Sequence, residues 1–115
     1  MRFAGYAAVF DAVDRSGDVI RRGAFGAVGR VPLLWQHGGA PVGVIEAIGE
    51  DARGLRVIGR VDAGVAVAPG SGLSFGYRVK GARCGVRREL TALELVEVSL
   101  VREPMQPLAV VHAVA

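Results

Sequence analysis

The chain has only two histidines, His37 and His112, and histidine is the side chain whose ordinary pKa suits general-base chemistry near neutral pH. His37 closes the run "PLLWQH" just before Gly38 and Gly39, at a strand terminus where an imidazole can face a cleft. His112 lies in "VVHAV", where a structural or edge position is the plainer reading. A base matters here because a serine hydroxyl is a weak nucleophile until its proton is removed. Of the four serines, Ser16 in "DRSGD" and Ser71 in "PGSG" are explained by turn formation. Ser99 falls late in the chain, in "LELVEVSLV". Ser74 stands apart in "GLSFG": Leu73 and Phe75 are expected to point away from its face, and Gly72 and Gly76 permit backbone or substrate to approach closely. The glycine spacing is not that of the G-x-S-x-G elbow, so an α/β-hydrolase is not implied.

A third group should fix the tautomer of the imidazole. Strict alternation in "LELVEVSLV" puts Leu93, Leu95, Glu97, Ser99 and Val101 on one face of a strand. Glu97 is the odd residue in that row, because glutamate is rarely buried unless it is paired. A salt bridge to an arginine satisfies the same pattern, and alternation alone does not choose between the two roles. Ser74, His37 and Glu97 are thus a candidate nucleophile, base and orienting set. Backbone donors near the glycines, or an arginine such as Arg78, can supply an oxyanion site.

Other chemistries find less support. Asp11, Asp14 and Asp18 do not follow the order of an EF-hand loop and read as turn carboxylates. No metal-ligand cluster or phosphate-cradling loop is present, and no cofactor is expected. The single cysteine, Cys84, cannot form an internal disulfide and reads as incidental in "GARCGVRR". The net charge is +3, but basic residues are scattered, as in Arg21-Arg22 and Arg87-Arg88. That arrangement suits a solvated surface, leaves an acidic protein partner open, and gives no specific nucleic-acid site. No apolar run is long enough to span a membrane, and no export signal opens the chain, so a cytoplasmic protein is expected.

The elements that must position these residues read almost entirely as strands. At 115 residues and 51% apolar, the chain predicts one globular domain over residues 1–115. "RFAGYAAVF" predicts a strand, "DAVDRSGDV" a turn, and "RRGAFGAVGR" a short helical turn at most, given its glycines. "VPLLWQH" predicts a strand and "GGAP" a turn, after which "VGVIEAIG" and "LRVIGRV" form a hairpin. "LSFGYRVK", "VRRELTALELVEVSLV" and "LAVVHAV" complete the set, with "GARCG" and "PMQP" as turns. About seven strands joined by short turns predict a mainly β fold, a small closed or partly open β-barrel or a sandwich.

Five stretches, in order, carry a family resemblance: "GYAAVFDAVDRSGDVIRRGAF", "LLWQH", "PVGVIEAIGEDARGLRVIGRV", "GLSFGYRV" and "LELVEVSLVREPMQPLAVV". Together they resemble the prohead (capsid maturation) proteases of tailed bacteriophages, and especially their relatives in gene transfer agents. The resemblance implies a β-barrel related to the herpesvirus assembly proteases and a serine peptidase mechanism. It places the family's histidine on His37, its serine on Ser74 and an acidic residue on Glu97. It implies the major capsid protein and its scaffolding segment as substrate, and sometimes the protease itself, inside an assembling procapsid. A homo-oligomer is compatible with it.

The chain departs from such relatives in two places. They carry a helical segment before the serine motif, where this chain has only "DAGVAVAPGS", and a longer helix before "PLLWQH". Such shortening reads either as natural reduction or as omission of mobile segments. A non-catalytic assembly or scaffolding factor on the same barrel is the chief rival, and retention of all three polar residues argues against it. A nucleic-acid-binding barrel would carry aromatics along a basic groove, which this chain lacks.

Overall fold

Small and apolar residues alternating through "RFAGYAAV" form β1 (Arg2–Val9), with Phe3, Ala7 and Ala8 buried. The computed structural model describes all residues, 1–115. The further strands are β2 (Asp18–Ile20), β3 (Leu33–Trp35), β4 (Gly38–Glu50), β5 (Gly54–Val61), β6 (Gly72–Cys84), β7 (Arg88–Val101) and β8 (Val111–Val114). There is no helix, and so none long and apolar enough to cross a membrane. In β5 the expected alternation holds: Leu55, Val57 and Val61 are buried while Arg56 and Arg60 are exposed.

All eight strands join one mixed sheet in the order β2-β7-β3-β4-β5-β1-β8, with β6 on the other side of β7. The sheet is mainly β as expected, but it is not closed into a barrel. Strands β6 and β8 approach each other only through the isolated bridge Gly72–Val110 and a few backbone bonds, such as Leu73 N–H to the Ala109 carbonyl at 2.9 Å. Pro104 and Pro107 precede this stretch, and proline cannot donate to a ladder.

Three sequence expectations are corrected. The eighth strand, β2, begins inside the segment read as a turn and runs one residue past it, with Asp18, Val19 and Ile20 paired in parallel with Arg88, Glu89 and Leu90. "GGAP" is the start of β4 rather than a turn, because the chain reverses earlier, at Gln36 and His37. "GARCG" does not turn as a whole either: β6 runs through Cys84, and the reversal follows it.

Strand β7 is the spine of the molecule. It pairs along its length with β6, while its other edge holds β2 near the start and β3 near the end, both in parallel. The Asp18 carboxylate takes a forked ion pair from Arg88, at 2.7 and 3.1 Å, across the β2–β7 register. The Arg88 hydrogen bond holds the Asp18 carboxyl below its ordinary value of 3.8, burial opposes this, and the Arg88 charge adds to it. A depressed folded-state pKa contributes stability above the unfolded value and loses it as pH falls through the folded one. Arg88→Gln is therefore expected to lower the melting temperature at neutral pH, by an amount that shrinks below about pH 3.8. Thermal unfolding across that range checks it, and a difference that stays constant with pH would refute the linkage. Because half of the Arg88 side chain is exposed, the effect is modest.

Candidate active site

Register brings the candidate residues together. In the β6–β7 ladder Ser74 stands opposite Ser99, and Gly76 opposite Glu97. On the other edge of β7, Leu34 of β3 pairs with Ser99 and Trp35 with Leu100. The chain leaves β3 through Gln36 and His37, with φ of 52° and 62°, and enters β4 as Trp35 pairs with Gly38. Positive φ at both central residues is the signature of a tight two-residue hairpin turn, and it costs about 1 kcal/mol per non-glycine residue. Three hydrogen bonds hold this turn: Gln36 N–H to the Leu100 carbonyl at 2.9 Å, His37 N–H to Ser99 Oγ at 3.1 Å, and Arg102 N–H to Gln36 Oε1 at 2.7 Å.

The turn delivers the imidazole to the carboxylate. His37 Nδ1 lies 2.5 Å from Glu97 Oε1, and the Ser99 hydroxyl donates to Glu97 Oε2 at 2.6 Å. Glu97 is 6% exposed and Ser99 fully buried, so the carboxylate is held away from water with both oxygens engaged. An ionised carboxylate only accepts, so the pairing places a proton on Nδ1 and leaves Nε2 free to act as a base.

Ser74 and His37 line one cavity of about 90 Å³, walled by Ile20, Leu73, Phe75 and Tyr77. Ser74 is 8% exposed, and its hydroxyl makes no hydrogen bond to His37 in this arrangement. Thus His37 and Glu97 are in direct contact, and Ser74 shares the cavity that His37 lines without being bonded to either.

A model of the caudovirus prohead serine protease family matches residues 1–115. The chain belongs to the caudovirus prohead serine protease family. No curated protein matches it in sequence.

Within this prohead protease family member, the two glycines flanking the serine motif have distinct uses. A Cβ on Gly76 would lie 2.6 Å from Glu97 Oε1, so the glycine makes room for the carboxylate. A Cβ on Gly72 would meet the Val101 carbonyl at 2.6 Å, so there the close approach is between strands.

The remaining candidates go elsewhere. Arg78 pairs with Glu94 at 3.4 Å on the exposed part of the hairpin and does not line the cavity, so it is not placed to serve as an oxyanion donor. Ser71 Oγ accepts from Ala68 N–H, and Ser16 Oγ donates to Met105 Sδ, both local roles. His112 packs edge-on against Tyr6, and Cys84 is exposed at the end of β6. Asp11 pairs with Arg21, Asp18 with Arg88, and Asp14 accepts turn N–H groups.

Sequence reading placed Ser99 on the face of Glu97 but did not find its second role, holding the His37 backbone. That role depends on the parallel β3–β7 pairing, for which the sequence carries no local signal.

Proposed function

We propose that the chain is a serine endopeptidase that removes the scaffolding segment of the major capsid protein during procapsid maturation, with its own chain as a candidate further substrate. The supporting observation is that His37, hydrogen-bonded to the Glu97–Ser99 pair, lines the same cavity as Ser74. The setting is an assembling phage or phage-like particle, as in gene transfer agents. Kinship with the herpesvirus assembly proteases belongs to the same proposal and rests on the family resemblance, not on the shape of the sheet.

In this reading Ser74 Oγ turns toward His37 Nε2 when substrate binds, a tightening common between free and occupied sites. Nε2 takes the hydroxyl proton as Oγ attacks the scissile carbonyl. The imidazolium so formed is steadied by Glu97 and gives its proton to the leaving amine, which breaks the peptide bond and leaves an acyl-serine. His37 then takes a proton from water, whose attack on the ester releases the acid and restores Ser74.

The test is intact-mass measurement of the capsid protein made with and without this chain, joined to peptide mapping after reaction with a fluorophosphonate. A discrete N-terminal segment lost only when the chain is present, with the phosphonyl adduct on Ser74, is the expected result. Assembled but uncleaved particles would refute the peptidase reading, and an adduct on another serine would refute Ser74 as nucleophile.

A further inference from the structure

Three carboxylates in the molecule are buried to nine-tenths or more: Asp14, Asp18 and Glu97. Two have a cationic or imidazole partner, since Asp18 pairs with Arg88 and Glu97 with His37. Asp14 has none. Its Oδ1 accepts the backbone N–H groups of Ser16 at 2.8 Å and Asp18 at 2.9 Å, while its Oδ2 takes no protein donor and is the accessible oxygen of the pair. A buried carboxylate without a counter-ion is costly, and proteins ordinarily pair one. Asp14 also lines the cavity that holds Ser74 and His37.

Resting on the peptidase reading above, we propose that this cavity receives a lysine or arginine side chain from the acyl side of the scissile bond, with Asp14 as its counter-ion. The walls suit such an occupant. Ile20, Leu73, Phe75 and Tyr77 present apolar surface to the methylene stem, leaving the charged tip to the carboxylate. The cavity, about 90 Å³, holds several waters and has room for the slender unbranched stem of a lysine side chain. The local field has the required sign. The Tyr77 phenol on the cavity wall is held above its ordinary value of 10.0 by burial first, then by the negative charges of Asp18 and Asp14, with Arg88 opposing. Asp18 is paired with Arg88, whereas no cationic side chain pairs with Asp14.

Two measurements test this on the full chain. In the first, n-butylammonium, which reproduces the lysine side chain, is titrated against 1-butanol as its neutral counterpart, with amide NMR signals as the readout. Saturable shifts at Asp14, Ile20 and Tyr77 are expected for the ammonium only, and they should vanish in Asp14→Asn. Asparagine keeps an oxygen for the Ser16 and Asp18 N–H groups, so the turn should survive, and a dispersed spectrum verifies it. In the second, a peptide library is digested and the new termini are read by mass spectrometry. Lysine and arginine should be enriched on the acyl side of the cut, and Asp14→Asn should reduce the preference for lysine over norleucine about tenfold to a hundredfold. Equal shifts from the ammonium and the alcohol, or cleavage without basic enrichment, would overturn the proposal while leaving the peptidase reading intact. Ammonium binding at Asp14 with no cleavage of any peptide would keep the cation pocket and remove the peptidase reading.

Discussion

Glu97→Gln is expected to lower kcat by on the order of 10⁴, with little change in KM or melting temperature, because it forces the imidazole into the wrong tautomer. The reason lies in Ser99. Its oxygen accepts the His37 N–H at 3.1 Å, and its proton goes to Glu97 Oε2 at 2.6 Å. Ser99 is fully buried, so its proton needs that acceptor. Glutamine can satisfy it only by turning its carbonyl oxygen to Ser99, which points its NH₂ at His37 Nδ1. Nδ1 must then accept, the ring proton moves to Nε2, and the base that should take the Ser74 proton is lost. Adding Ser99→Ala frees the amide to turn over and is expected to recover part of the rate. Single-turnover kinetics of both variants, with imidazole nitrogen shifts to report the tautomer, check the argument. A Glu97→Gln enzyme of near-normal rate, or a double variant slower than the single one, would refute it.

Gly76→Ala is expected to lower kcat by about 10² or more by moving the same carboxylate. The added methyl would lie 2.6 Å from Oε1, 3.0 Å from Cγ and 3.1 Å from Cδ of Glu97. Oε1 is the oxygen that His37 Nδ1 contacts, so the clash falls on the atom that orients the base. Ser99 anchors Oε2, which leaves the carboxylate little room to retreat without breaking one of its two bonds. Displacements of about 1 Å at such sites cost roughly 10²-fold in rate. The strand itself should persist, because alanine is compatible with an extended backbone. Kinetics beside thermal unfolding separate the outcomes: a large loss of rate with a small change in melting temperature is expected, and an unchanged rate would show that Glu97 is not the orienting group.

Much of this site was legible in the sequence because period-two alternation is a local signal. It placed Glu97 and Ser99 on one face of β7 and singled out Ser74 between its glycines. What it missed depends on pairing between distant segments or on unusual backbone. Strand β2 is three residues long and follows an Asp- and Ser-rich turn, so nothing nearby announces that Asp18, Val19 and Ile20 will pair with β7. The reversal at Gln36 and His37 was hidden because neither residue is glycine, and the two glycines that follow drew the turn to themselves. The barrel expectation counted strands but could not foresee that the β6 and β8 ends of the sheet would meet only by one bridge and a few backbone bonds. Asp14 looked like any turn carboxylate, and indeed it accepts turn N–H groups; its missing counter-ion is visible only once burial is known.

The way the strands are connected also bears on timing. Ser74 and Glu97 lie on the two arms of one antiparallel hairpin, a local structure of the kind that forms within microseconds. His37 is 60 residues before Glu97 and reaches it only when β3 docks in parallel on the far edge of β7. Such long-range closure is slow relative to hairpin formation. A chain emerging from synthesis, or one partly unfolded, would therefore hold the hydroxyl and the carboxylate in place with no base between them. On the peptidase reading proposed above, the base joins the hydroxyl and the carboxylate only through this long-range pairing, so a molecule that has not finished folding would lack the complete set.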